Sequence, residues 1–330
     1  MDAPTIEKAI SELANDRTSG ASFLAKSAVE VLDRFAGWVC DTRGALSPDD
    51  YIVELIEVGK QLVQTQPTMA SIIRAVNEVI ITTKEKATQL ENEVGTDLKT
   101  QLKYLCTFTQ SCTRKYILES DLALETISRE YSEILSAGDT VMTISASSAI
   151  ERLLMQANNE SMALIVYVPE SRPMYEGRMM AKRLAENNVK TTLIADSAMF
   201  HYLSECTKII VGADRVIPEG VVNKIGTYGL AIAARELKKP FYCVCERMKF
   251  IPNIIPVEKL IVLHATEQLL KPKREREESD YLMNKNIYFD FTPMEYVTRF
   301  LTEDGQKTPD QVKEYIKSIK ILLELSTGFE

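Results

Sequence analysis

The chain has only two histidines in 330 residues, His201 and His264, and neither sits in a recognisable motif. No histidine base can therefore be named for a nucleophile. Its six cysteines, at 40, 106, 112, 206, 243 and 245, lack any zinc-type spacing and read as reduced, mostly buried thiols. Cys243 and Cys245 lie in an apolar run where strand alternation puts both on one face. Nowhere is the chain apolar for 18 residues, which argues against a membrane-spanning helix, and the acidic, amphipathic opening MDAPTIEKAISELANDR does not resemble a signal peptide. Positive charge is also short: the net charge of -8 argues against generic binding to nucleic acid or anionic membranes. No GxGxxG follows the first strand and no GxxxxGK[ST] occurs, so the common dinucleotide and triphosphate fingerprints are missing. A cytoplasmic globular protein without cofactor or metal is expected.

What is present divides near residue 135. From Pro4 to about Leu135 the apolar period is helical, with Ile6, Ile10 and Leu13 on one face, then Leu24, Ala28, Val31 and Phe35, then Tyr51, Leu55, Val58 and Leu62. Further helices are predicted from Met69 to about Leu90 and from Asp97 to about Leu135, so residues 1–135 read as a helical bundle. Residues 136–330 change pattern. Apolar strand candidates at Val141–Ile144, Ala163–Val168, Thr191–Ile194, Ile209–Val211 and Phe241–Val244 alternate with helical segments. Such spacing implies a Rossmann-like α/β domain with a parallel sheet.

The stretch KIIVGADRVIPEGVVNKIGTYGLAIAARELK, Lys208 to Lys239, reads as a strand, a polar turn from Asp214 to Gly220, and a helix entering between Asn223 and Thr227. Junctions at the carboxyl ends of parallel strands form ligand crevices. Lys224, placed in the first turn of that helix, works against the helix dipole unless an anion or carboxylate accompanies it, and Asp214 is the nearest candidate. Further along, LLKPKREREESD, Leu269 to Asp280, reads as a solvated excursion or a partner-binding loop. The apolar residues of VCERMKFIPNIIP are candidates either for an interface or for core burial, and Thr292 for the cap of a helix starting at Pro293.

Six stretches together resemble one family: TSGASFLAKSAVEVL, TQPTMASIIRAV, DTVMTISASSAIERLL, VPESRPMYEGRMMAKRL, the Lys208–Lys239 stretch, and DFTPMEYVTRFLTEDG. They are similar to the alpha, beta and delta regulatory subunits of translation initiation factor 2B and their archaeal relatives. The same superfamily holds methylthioribose-1-phosphate isomerase and ribose-1,5-bisphosphate isomerase. The resemblance implies an N-terminal helical domain, a C-terminal Rossmann-like domain, and homo-oligomers that assemble with related 2B-type subunits and initiation factor 2. It implies a crevice able to hold a sugar phosphate or nucleotide, with Ser145, Arg172, Asp214, Asn223, Lys224, Gly20 and Ala21 as its ligand-binding positions.

The isomerases, by the same resemblance, interconvert aldose and ketose phosphates with a Cys after the first strand and the Asp of GADR. Asp214 is kept, whereas the Cys position falls on Ser145. A thiol reaches a pKa useful for proton transfer at neutral pH, and an unassisted hydroxyl does not. Ser145 then reads as a loop hydroxyl or anion donor, with a nucleophile as the rival. Where the isomerases carry Arg-Gly-Ala and Arg-Pro forks for phosphate, this chain has Ser19-Gly20-Ala21 and Gln66-Pro67, with Arg17 close to the first. By the resemblance, Glu176 stands where a Gln is common and would repel a phosphate if it faced the pocket, and the interval from Asp214 to Asn223 is one residue shorter than the family pattern. The expectation is a non-catalytic regulatory subunit. The alternative is an aldose–ketose isomerase using Asp214 and Ser145.

Overall fold

The computed structural model describes residues 3–16, 19–91, 97–261 and 285–326. Arg17, His264 and the Leu269–Asp280 run fall outside them. The chain forms two compact units, residues 1–122 with 319–330, and residues 123–318.

The first unit is built from α1 (Ala3–Asn15), α2 (Ala21–Thr42), α3 (Pro48–Thr65), α4 (Ala70–Glu91) and the start of α5 (Leu98–Arg129). Most of the apolar stripes predicted from helical spacing are buried, Leu24, Ala28, Val31 and Phe35 of α2 and Tyr51, Leu55 and Leu62 of α3, while Ile10 of α1 and Val58 of α3 are half-buried. Ser47 caps α3, its side chain accepting from the Asp50 N–H, with Pro48 in the first turn, so the sequence signal for that helix start has its usual cause. At the far end of the chain, Asn77 ties the segment before α12 (Leu323–Ser326) to α4, donating to Lys320 O and accepting from Leu322 N.

The second unit carries β1 (Thr140–Met142), α6 (Ser148–Asn159), β2 (Ile165–Pro169), α7 (Glu176–Glu186), β3 (Lys190–Ile194), α8 (Met199–Tyr202) and β4 (Lys208–Val211). It continues through β5 (Arg215–Ile217), β6 (Gly220–Lys224), α9 (Thr227–Glu236), β7 (Phe241–Val244), α10 (Val257–Leu260), β8 (Phe289–Pro293), β9 (Arg299–Thr302), β10 (Gly305–Lys307) and α11 (Pro309–Lys317). Seven strands form the main sheet in the order β10-β9-β7-β4-β1-β2-β3, parallel except for β10. All five strand candidates of the sequence are in it. The order runs outward from β1 through β2 and β3 on one side and from β4 through β7 and β9 on the other, so the β1/β4 boundary is the topological switch point where open α/β sheets bind ligands.

Three elements differ from expectation. The Asp214–Gly220 turn contains a strand, and Asn223 and Lys224 end β6 rather than opening a helix; α9 begins at Thr227. Strands β5, β6 and β8 form a separate antiparallel sheet in which Asn223 faces Asp290 and Val221 faces Thr292. Thr292 is therefore a fully buried strand residue and caps no helix, because the ladder with β6 claims its backbone. The apolar part of VCERMKFIPNIIP goes to the core: Val244, Cys245, Phe250, Ile251 and Ile255 are all buried. Among the described residues no helix is long and apolar enough to cross a membrane.

Candidate functional site

The site forms where the loops after β1 and β4 meet. Gly212, one residue past β4, lies so close to Ser147 that a Cβ there would sit 3.1 Å from it, and a Cβ on Gly226 would lie 3.1 Å from Ile144. Small residues at these points let the β4 loop and the entry to α9 close on the β1 loop. Gly226 also takes φ +102, a left-handed turn that a side chain would strain, and this lets β6 turn into α9.

Ser145 is partly buried in the β1 loop and adopts φ +66. Its N–H donates to Ser171 Oγ at 2.8 Å, and Ser171 Oγ donates in turn to Pro169 O at 3.1 Å. The loop after β2 is held by Asp196, whose two carboxylate oxygens accept from the N–H groups of Ser171 (2.7 Å) and Arg172 (2.8 Å). The exposed Arg172 guanidinium stacks over Tyr175 at 5.6 Å, and Arg178 lies over the same ring at 4.0 Å.

Lys224 is almost fully buried, with only 4% of its side chain exposed. Its ammonium donates to both oxygens of Glu176, each at 2.9 Å, and lies 5.6 Å from the centre of the Tyr288 ring. The carboxylate that the sequence called for beside Lys224 is thus Glu176, forty-eight residues away in the chain, rather than Asp214. As the first residue of α7, Glu176 also sits where a helix N-terminus favours negative charge.

Asp214 is partly buried just before β5, its N–H donating to Val222 O at 3.0 Å. Burial pushes its carboxyl above the ordinary range, opposed by Lys249, reinforced by Glu176 and opposed again by Lys224. Lys249 is a site residue that the sequence reading missed. It is buried to 4% exposure in the short helical turn Arg247–Lys249 after β7. A charged residue inside an otherwise core-forming run was the available signal. Next to it, Cys243 and Cys245 are buried with their sulfurs 4.0 Å apart, Cys243 donating to Gly212 O at 3.8 Å. The Cys243 contact and then burial push the Cys245 thiol up, so Cys245 has no thiolate character.

Asn223 Nδ2 donates to Thr227 Oγ1 at 3.1 Å, and Thr227 Oγ1 donates to Lys224 O at 2.6 Å. Across the ladder from Asn223, Asp290 Oδ2 accepts from the N–H groups of Gly226 (2.8 Å) and Tyr228 (3.1 Å), filling the N-terminus of α9. Its other oxygen is buried with no hydrogen-bond donor among the described residues. Burial raises its pKa from an ordinary 3.8 to about 6. A carboxyl raised this way gives a definite pH dependence: as pH climbs from about 4 to about 6 the unfolded chain ionises first, and stability is lost by up to about 3 kcal/mol. Asp290→Asn keeps an acceptor for the cap and does not titrate. Urea unfolding at pH 4 and pH 7 is expected to show the variant gaining on the wild type by about that amount between the two.

The structure therefore brings together Ser145 with Ser171, Lys224 with Glu176, and Asn223 with Asp290, with Asp214 in electrostatic reach of Lys249, Glu176 and Lys224. Gly20 and Ala21 belong to the helical unit, Gly20 preceding α2 and Ala21 O accepting from Ser71 Oγ. Gln66, where the isomerases carry an arginine, donates to Leu13 O and Asp16 O within that unit. Among the described residues no cluster of three or more His, Cys, Asp or Glu side chains could hold a metal ion.

A helical unit joined to a mostly parallel Rossmann-like sheet, with a charged crevice at the switch point, defines a class shared by translation-factor subunits and sugar-phosphate isomerases. Residues 17–309 match the Initiation factor 2 subunit family, and the chain belongs to it. It is similar to a Pyrococcus furiosus protein named putative translation initiation factor eIF-2B subunit 2-like, at 28% identity over 91% of this chain and 95% of that one. It is equally similar to the ribose 1,5-bisphosphate isomerase of Thermococcus kodakarensis, at 29% identity over 89% of this chain and 88% of the enzyme. Among solved structures, the eIF-2B of Pyrococcus horikoshii superposes with a TM-score of 0.73 at 24% identity, covering 94% of this chain and 98% of that one. The 5-methylthioribose 1-phosphate isomerase of the same organism superposes with a TM-score of 0.71 at 23% identity, covering 94% and 86%. These two structures establish the shared fold.

Proposed function

We propose that this chain is a non-catalytic subunit of a translation initiation factor 2B-type assembly. The observation that carries this reading is Ser145. The position that should supply a titratable thiol holds a hydroxyl, and among the described residues the one histidine, His201, packs edge-on against Tyr202 on α8 instead of activating it. The pairing of Lys224 with Glu176 supports the same reading, since a cation meant for substrate phosphate is already matched.

Its work is then to present surfaces, in the cytoplasm, to its own copies, to related subunits and to initiation factor 2. The tetrameric eIF2B-beta2-delta2 complex of Chaetomium thermophilum contains a chain that superposes with a TM-score of 0.72 at 20% identity. Phe200, 49% exposed on α8, packs against Gly229 of α9, and Ile232 one turn along is 46% exposed. That apolar face suits subunit contact.

A second reading, an aldose–ketose isomerase, is supported by the names of relatives such as the Thermococcus enzyme and by the retained Asp214, whose raised pKa suits proton transfer. Incubation of the purified protein with ribose 1,5-bisphosphate and with methylthioribose 1-phosphate separates the two. No product, together with retention of initiation factor 2 or related subunits in a pull-down, is expected. Turnover abolished by Asp214→Asn would replace the first reading with the second.

A further inference from the structure

Among the described residues, the Lys224 ammonium and the backbone N–H groups named above are engaged by the protein itself, while the Arg172 guanidinium stays exposed over the Tyr175 ring. The Lys224 ammonium is taken by Glu176 (2.9 Å to each oxygen), and the N–H groups of Gly226 and Tyr228 at the start of α9 by Asp290 (2.8 and 3.1 Å). The Ser145 N–H is taken by Ser171 Oγ, and the N–H groups of Ser171 and Arg172 by Asp196. Of these, the Glu176 contact differs in its setting. Lys224 lies at the bottom, 4% exposed, while Glu176 is 23% exposed, so the carboxylate covers the ammonium from the solvent side. Any ligand anion approaching Lys224 meets Glu176 first.

We propose that Glu176 is a specificity-determining residue that occupies the anion seat of the crevice, so that the crevice refuses phosphorylated ligands and accepts uncharged polyhydroxy ones. Coulomb repulsion from Glu176 opposes a phosphate, and displacing it would break its ion pair with Lys224 while the phosphate itself is desolvated. An uncharged polyol meets neither cost, and Glu176 and Asp214 offer it acceptors. The proposal rests on the non-catalytic reading only in placing the ligand crevice at the switch point, and it is tested by binding rather than turnover.

The test measures ribose 5-phosphate and ribose against the full chain by calorimetry and thermal shift. For wild type, ribose 5-phosphate is expected to bind no better than ribose. In Glu176→Gln, which keeps the shape and removes the charge, ribose 5-phosphate is expected to bind at least about tenfold tighter than to wild type and to raise Tm with the logarithm of its concentration above Kd. Adding Lys224→Met to that variant should erase the gain. Should Glu176→Gln unfold because Lys224 is left unmatched, ribose 5-phosphate is expected to restore a cooperative transition. Wild type binding the phosphosugar as tightly as Glu176→Gln would overturn the proposal, as would a folded variant with no gain, or an unfolded one that the phosphosugar fails to rescue. Turnover of ribose 1,5-bisphosphate by wild type would sink the non-catalytic function instead. An inert protein whose Glu176→Gln form gains nothing would sink only this inference.

Discussion

Glu176→Ala is expected to cost about 3 kcal/mol of stability, and Lys224→Met only about 1 kcal/mol, although the two substitutions break the same ion pair. The asymmetry comes from where water is. Removing Glu176 leaves an ammonium that is 4% exposed, facing the Tyr288 ring and the more distant Asp214 carboxyl, which recover a small part of the lost energy. Removing Lys224 leaves a carboxylate that is 23% exposed and still at the first turn of α7, where it can rehydrate and keep its favourable interaction with the helix dipole. The double variant should recover most of the loss, giving a coupling energy that a double-mutant cycle in urea reads directly. Equal losses in the two single variants would mean that Lys224 reaches water by a rotamer change and that the pair is a surface ion pair in effect.

Gly177→Ala is expected to lower stability by about 3 kcal/mol or more and to reduce soluble expression. A Cβ at this position would lie 1.8 Å from Pro169 O and 2.8 Å from Ser171 Oγ. The first of these atoms belongs to the backbone at the end of β2, so no rotamer change relieves the clash and the start of α7 would have to move away from the strand. Because Glu176 is the preceding residue and Ser171 receives the Ser145 N–H, that displacement also loosens both sides of the crevice. Thermal unfolding of the variant checks the magnitude; an unchanged Tm would mean that the contact between β2 and α7 is slack.

How much of this was legible in the sequence depends on the distance between the residues concerned. The main sheet was readable because each parallel strand is a local apolar run bounded by turns, and the helical unit because its stripes repeat over several turns. The three-stranded antiparallel sheet was not. VIPEGVV looks like a turn, and its strands exist because β8, beginning 65 residues after Lys224, pairs with β6. That ladder converts Lys224 from a helix residue to a strand residue and turns it towards Glu176. The sequence marks Ser145, Asp214, Asn223 and Lys224 as candidate positions. Their partners Ser171, Glu176 and Asp290 are tertiary neighbours with no spacing rule that a reader of the sequence could apply, although the Gln-to-Glu exchange at 176 was visible and its repulsion of phosphate was inferred.

The pairing of β6 with β8 ties the crevice to a part of the chain that touches none of the loops at the switch point in sequence. β6 is the middle strand of its sheet, so each of its edges is closed by a different neighbour, β5 through a tight hairpin and β8 from far downstream. A chain cut after Leu260 would keep every conserved-looking residue of the GADR stretch, yet one side of β6 would carry a row of unpaired N–H and C=O groups and α9 would lose the carboxylate that fills its N-terminus. Such a fragment would be adhesive through that open side. In a chain still emerging from the ribosome, the same edge stays open until residues 289–293 arrive to close it, so the crevice becomes a crevice only when nearly the whole unit has been made.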